Sequence, residues 1–240
     1  MKIGIAVPAY IGHIDSLFNL LDSIQKQTII PDKVVVSCSS SKNSDFDIYF
    51  EKINKYTFNL EIITNEDKKC AAENRNIAAS KLNDVDYISF IDADDTMHPQ
   101  RTEILLKTFQ ENDSDIILHN YFNYEDSENN ENNENNEHSE NDFIKNIETP
   151  IIRTNSLKQC YSGCVAHKIF HNSNDKIHHG HVSIKYDIFN KIQFPEEPEF
   201  YRKEDCVFCF RVFNLENIKD AYIANELTCY KPSNTQILYF

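Results

Sequence analysis

Tyr87-Ile88-Ser89-Phe90-Ile91-Asp92-Ala93-Asp94-Asp95 joins a β-branched and aromatic run to three carboxylates within four residues. The apolar part reads as a buried strand. An uncompensated buried charge is costly, so water or a cation must meet the acids where the strand ends. In extended backbone Asp92 and Asp94, two apart, project on one face. Two carboxylates converging on one point suit a hard divalent cation such as Mg²⁺, Mn²⁺ or Ca²⁺, which takes its other ligands from water and substrate phosphates. The pattern therefore predicts a metal-assisted diphosphate site. The competing reading makes the same acids N-caps of the next helix, which Pro99 opens.

Upstream of this stretch, strands and helices alternate. Ile3-Gly4-Ile5-Ala6-Val7 reads as a first strand closed by Pro8. Ile14, Leu17, Leu20, Leu21 and Ile24 recur at helical spacing. Val34-Val35-Val36 is a second strand, followed by a polar loop over 37–41. Phe46, Tyr49, Phe50 and Ile53 mark a second helix, and Leu60, Ile62 and Ile63 a third strand. A helix follows over 71–82. Downstream come a helix carrying Ile104, Leu105 and Phe109, then a strand at 115–118. Such alternation implies βαβ units with right-handed crossovers and a mostly parallel sheet. Ligands of such sheets bind beyond the carboxyl ends of the strands, where Asp92, Asp94, Asp95, 8–10 and 37–40 all fall.

Residues 125–142 are a run of Glu, Asn and Ser that cannot offset its ordering entropy, and read as a disordered insert. The insert divides a single domain, 1–240, into a first part at 1–124 and a second at 143–240. The second part is less regular. Ile151-Ile152 suggests a short strand. His178-His179-Gly180-His181 precedes a strand at 182–184, and Glu204-Asp205 opens a helix with Val207, Phe208, Arg211 and Val212. Two closing strands are expected, at 221–224 and 228–230. The imidazoles of this segment suit Mn²⁺ or Zn²⁺, and His181 is carried forward as a candidate ligand.

Composition bounds the function. The chain has 240 residues and a net charge of −14, which argues against a nucleic-acid surface. No apolar run approaches the length of a membrane span, and the chain opens directly into a strand. A soluble, cytoplasmic protein without an integral membrane segment is expected. Seven cysteines without a secretory pattern read as free thiols. Cys160, Cys164, Cys206 and Cys209 form two close pairs that could hold zinc, although the second pair lies in an apolar helical stretch where cysteine serves as a core residue.

Taken in order, these segments resemble a family 2-type glycosyltransferase with the GT-A fold. Val7-Pro8-Ala9-Tyr10 resembles that family's opening strand and turn. Residues 20–28 resemble its first helix, ending Ser23-Ile24-Gln25-Lys26-Gln27-Thr28. Asn74-Arg75-Asn76-Ile77-Ala78 resembles its Ala-Arg-Asn-x-Gly segment. Phe90-Ile91-Asp92-Ala93-Asp94-Asp95 matches its Asp-x-Asp metal motif. His181-Val182-Ser183-Ile184-Lys185, followed by Ile188-Phe189, resembles its later strand and helix start. Lys203-Glu204-Asp205-Cys206-Val207-Phe208 resembles the segment that carries its catalytic base.

The resemblance implies an α/β GT-A domain that moves a sugar from a nucleotide-sugar donor, a UDP-sugar first among the candidates, to a glycan, protein or lipid-linked acceptor, with inversion. It makes Asp205 the general base and Glu204 its neighbour. Asp94 and Asp92 become ligands of Mn²⁺ or Mg²⁺, Asp92 alternatively contacting the ribose. Pro8, Ala9, Tyr10, Ser37, Ser39, Arg75, Asp92, Ala93 and Asp94 line the donor pocket. The chain departs from the family in carrying serines rather than an Asp after the second strand, and Lys203 rather than Gly before Glu204. It also lacks a Gln-x-x-Arg-Trp pattern, having no Trp. That absence and the lack of a membrane segment favour a single-transfer enzyme over a processive synthase. Two other readings compete: a non-catalytic binding module that kept the fold, and a nucleotidyltransferase. The latter lacks its phosphate loop here, since 7–13 is not glycine-rich.

Overall fold

A computed structural model describes residues 1–124, 143–157 and 175–231. The expected insert and the Cys160–Cys164 pair lie outside them. Among the described residues nine strands form one sheet: β1 Ile3–Tyr10, β2 Lys33–Ser39, β3 Asn59–Asn65, β4 Tyr87–Phe90, β5 Thr96–Met97, β6 Ile116–Asn123, β7 Ile152–Thr154, β8 Ser183–Lys185 and β9 Asp220–Tyr230. Their order is β3-β2-β1-β4-β8-β6-β9-β5, with β7 on β9. β1 to β4 pair in parallel, as do β6 and β9, while β8 runs antiparallel between β4 and β6. The sheet is thus mostly parallel, as the alternation predicts.

The longer helices are α1 Ile14–Gln25, α3 Ala71–Ser80, α4 Arg101–Asn112 and α6 Glu204–Phe213, and single turns form α2 Phe50–Ile53 and α5 Tyr186–Phe189. Period-2 alternation sends Ile5, Val7, Ala9, Val34, Val36 and Cys38 to one face, under Leu17, Leu20, Leu21 and Ile24 of α1. Ala6, Val35 and Phe90 face the other side, with Ala72, Ala78 and Ala79 of α3 and Phe208, Cys209 and Val212 of α6. Cys209 is therefore a buried core thiol, and Cys206 beside it is half-buried. α4 places Ile104, Leu105 and Phe109 on Ile117, Ala221 and Ile223.

Four sequence expectations change. β1 continues through Pro8 to Tyr10. The Ala6 carbonyl accepts from Ile91 N–H, so Pro8, two residues on, would aim an N–H past the end of β4, where no ladder bond is lost. The polar loop at 37–39 is instead the end of β2, because its serines are satisfied by side chains described below. The helix expected around Phe46 to Ile53 is largely a 3₁₀ segment, Asn43–Tyr49. There the Asp45 carboxylate takes the Lys42 N–H, capping the segment, and Phe50 beyond it is exposed. The two closing strands are one, β9, carried through by a bulge opposite His119 and Asn120.

Candidate active site

β4 ends at Phe90, and the acids follow in a turn rather than in extended backbone. Asp95 N–H closes the turn on the Asp92 carbonyl at 3.2 Å. Within this turn Asp92 and Asp95 take different partners, Arg75 and His181. Because β8 is antiparallel to β4, residues 178–181 arrive at the same end of the sheet. The carboxyl end of β9 arrives there too, bringing Thr228 and Tyr230.

Asp92 faces α3. Arg75 Nη2 donates to its Oδ1 at 2.6 Å, and Arg75 Nη1 donates to Glu204 Oε1 at 2.9 Å. Arg75 is 3% exposed, and its guanidinium also lies over the Phe194 ring at 5.3 Å. One buried cation thereby joins the acidic turn to the start of α6. Burial alone would raise the Asp92 carboxyl. The Arg75 charge, with His178 and His181, outweighs it and holds Asp92 below the ordinary carboxylate range.

Asp95 is fully buried. Its Oδ2 meets His181 Nε2 at 2.7 Å, and its Oδ1 accepts Lys231 N–H at 2.8 Å. His181 Nδ1 bonds Thr228 Oγ1 at 2.9 Å. Burial pushes Asp95 up to about 7 and His181 well down, favouring the uncharged form of both. Behind them Arg101, fully buried, donates Nη2 to the carbonyls of Phe90 and His181 at 3.0 and 3.2 Å, and Nε to His119 Nε2 at 3.2 Å. Arg101 thus ties the end of β4 to the histidine loop. Burial lowers its own pKa to about 9.

Asp94 is only half-buried. Burial, then the charges of Asp92 and Asp95, push it up to about 7. A group in that state is stabilised by any added positive charge. Three further observations fit a divalent cation here. Asp92, His178 and His181 each present a candidate ligand atom, and these atoms lie within 4.8 Å of one another. His178 Nδ1 is buried with no hydrogen-bond partner among the described residues. A Cβ built on Gly180 would stand 2.9 Å from Asp92 Oδ2 and from Arg75 Nη2, so only glycine leaves that space open.

The remaining expected residues divide. Pro8 and Ala9 are buried in β1, Tyr10 is exposed at its end, and Ala93 is buried in the acidic turn. Ser37 and Ser39 are turned inward. Ser37 Oγ donates to Asn74 Oδ1 at 2.9 Å, and Asn74 Nδ2 donates to Ser39 Oγ at 3.2 Å and to the Ala9 carbonyl at 3.3 Å. Asn74 thereby locks the ends of β1 and β2 together. Asp205 is half-buried in the first turn of α6, its Oδ1 accepting Cys206 N–H at 2.6 Å. Beside it a cleft of about 300 Å³ is lined by Cys70, Ala71, Tyr201, Arg202 and Glu204. Arg202 holds a left-handed φ of 69°, a strained setting for a side-chain-bearing residue at the cleft wall. The sequence offers the histidines at 178, 179 and 181 together as possible ligands, with His181 carried forward, but gives Arg101, Asn74 and Thr228 no role at the site. For His178 the His-His-Gly-His run was a signal, whereas Arg101 in a first helical turn reads as a surface residue.

The profile of Glycosyl transferase family 2 matches residues 4–175. The chain is 36% identical over 95 residues to the O-antigen chain rhamnosyltransferase RfbN of Salmonella typhimurium, a segment covering 39% of this chain and 28% of that protein. The crystal structure of S. aureus TarS 1-349 in complex with UDP superposes with a TM-score of 0.65 at 19% identity, over 96% of this chain and 60% of that one. The mannosyltransferase PcManGT from Pyrobaculum calidifontis, in complex with GDP-Man and Mn²⁺, superposes with a TM-score of 0.64 at 12% identity, over 98% and 58%. The matched segments span about 30% of the curated relatives and 60% or less of these two structures. Among the described residues no helix is long and apolar enough to cross a membrane.

Proposed function

The chain belongs to glycosyl transferase family 2, and on that premise we propose that it moves one sugar from a nucleoside-diphosphate sugar to an acceptor hydroxyl, with inversion. The observation that carries the reading is the Arg75 bridge. It sets the acidic turn that would meet the diphosphate and the helix start that bears Asp205 on opposite sides of one guanidinium. Asp205 accepts the proton of the acceptor hydroxyl as its oxygen bonds the anomeric carbon, and the bond from that carbon to the diphosphate breaks on the far side. A carboxylate fits this role because a sugar hydroxyl is a poor nucleophile while it keeps its proton.

Asp94 and Asp92, with a ring nitrogen of the 178–181 loop, would hold a divalent cation, Mn²⁺ or Mg²⁺. Such an ion supplies positive charge to the leaving diphosphate. Glu204 anchors Arg75 and so orients Asp205. Pro8, Ala9, Tyr10 and Ala93 border the donor pocket. With Ser37 and Ser39 committed to Asn74, they shape the strand ends through Asn74 rather than by direct contact with a base. The cleft walled by Tyr201 and Arg202 would take the acceptor, a glycan, protein or lipid-linked hydroxyl. UDP-sugars are the first donors to try, since TarS is seen with UDP and with UDP-GlcNAc.

A thermal-shift screen of UDP-, GDP-, CDP- and dTDP-sugars, each with and without Mn²⁺ or Mg²⁺, tests this. A ligand at a hundred times its Kd stabilises the folded state by about 2.7 kcal/mol. In a chain of this size that is a rise in Tm of several degrees, on the order of 2–4 °C per kcal/mol. The expected result is a rise that needs one nucleotide and the metal together. A flat response to every pair would point instead to a module that keeps the fold without binding a donor.

A further inference from the structure

The 178–181 loop offers two imidazoles to the acidic turn, and the structure treats them differently. His181 has no ring nitrogen to spare. Nε2 is engaged by Asp95 at 2.7 Å and Nδ1 by Thr228 at 2.9 Å, and the residue is 1% exposed. Metal binding through His181 would break one of these buried bonds and leave Asp95 or Thr228 unsatisfied.

His178 is the opposite case. Its ring stacks on His181 with centroids 4.0 Å apart, and Tyr230 and Tyr121 flank it at 5.0 and 5.9 Å. The ring is packed on both sides, and Nδ1 has no hydrogen-bond partner among the described residues. The space above Gly180 lies against this ring. A point one Cβ from Gly180 lies 3.0 Å from His178 Cε1, the ring corner between the two nitrogens, and 2.9 Å from Asp92 Oδ2. Asp92 Oδ1 is taken by Arg75, and Oδ2 is the oxygen turned toward that point. Gly180 has no left-handed φ, so its lack of a side chain serves this close approach and not a backbone turn.

We propose that His178 is the nitrogen ligand of the divalent cation, beside Asp92 and Asp94, and that His181 is the positioning residue that holds Asp95 and carries the His178 ring. The assignment rests on the metal-dependent reading of the site and deepens it. Imidazole beside carboxylates suits Mn²⁺ better than Mg²⁺, whose ligands are almost all oxygen. The metal preference is thus written in the loop rather than in the acids.

Pulsed EPR of Mn²⁺ bound to the full chain with UDP tests the assignment without relying on turnover. The wild-type protein is expected to show ¹⁴N modulation that becomes ¹⁵N on labelling histidine. His178→Gln is expected to lose it and to bind Mn²⁺ at least about tenfold more weakly, as loss of a well-placed metal-site partner does. His181→Gln is expected to keep the nitrogen coupling and to lower Tm. His178→Phe preserves the stack and replaces the Gln variant if that one does not fold. Nitrogen coupling that survives at position 178, or bound Mn²⁺ with no nitrogen coupling in the wild type, overturns the His178 assignment while leaving the metal-dependent reading intact. Absence of Mn²⁺ binding altogether overturns both.

Discussion

Asp205→Asn is expected to lower kcat by about 10²–10⁴-fold, the usual contribution of a positioned general base, with the affinity for the nucleotide-sugar unchanged. Asparagine keeps the shape of the side chain and an oxygen to accept Cys206 N–H, so the first turn of α6 is preserved. What it loses is the ability to take a proton. Donor affinity is spared because the diphosphate would meet the acidic turn, across Arg75 from Asp205. Single-turnover transfer together with calorimetric donor titration separates the two effects. A kcat within a factor of a few of the wild type would remove Asp205 as the base and return it to the role of a first-turn acid that favours the helix N-terminus.

Arg75→Leu is expected to cost about 3–5 kcal/mol of stability, the range for removing one member of a buried ion pair. The guanidinium is 4% exposed, and it compensates both Asp92 and Glu204, whose side chains are 23% and 10% exposed. Leucine fills part of the volume but leaves the buried Glu204 and the half-buried Asp92 carboxylates uncompensated. Arg75→Lys is not a rescue, since one ammonium cannot reproduce a planar fork that reaches two acids from separate nitrogens. Urea unfolding of the two variants against the wild type measures the effect. A loss under about 1 kcal/mol, the range typical of exposed pairs, would show that Asp92 and Glu204 are satisfied by other means and that the bridge does not organise the site.

The periodic parts of this chain were legible because each run has one period and one partner layer. Ile5, Val7 and Ala9 against Leu17, Leu20 and Leu21 is a pattern that local spacing alone predicts. The acidic turn was legible as a functional element for the same reason that made its geometry misleading. A strand that ends in three acids marks a site, but the extended-backbone argument for Asp92 and Asp94 fails once Asp95 N–H folds back on the Asp92 carbonyl. Arg75 and Asp205 were reached through family resemblance, since nothing in their local sequence says that position 75 meets 92 and 204. The commitments of Ser37, Ser39, His181 and Arg101 are long-range as well. Arg101 bonds residues 11, 18 and 80 positions away on β4, β6 and the histidine loop, contacts set by tertiary packing rather than by its helix. Side chains with several donors and acceptors look alike in sequence whether they serve a ligand or a neighbour. Only the count of satisfied atoms separates His178 from His181.

The anomeric configuration of the product decides whether the proposed metal-dependent transfer inverts. With the donor identified by thermal shift, ¹H NMR of the reaction in Mn²⁺ follows the anomeric proton of the transferred sugar. The expected product has the configuration opposite to the donor, one nucleoside diphosphate is released per transfer, and both are lost in EDTA and recovered on added Mn²⁺. A product that retains the donor's configuration, or transfer that proceeds unchanged in EDTA, would contradict the proposed mechanism.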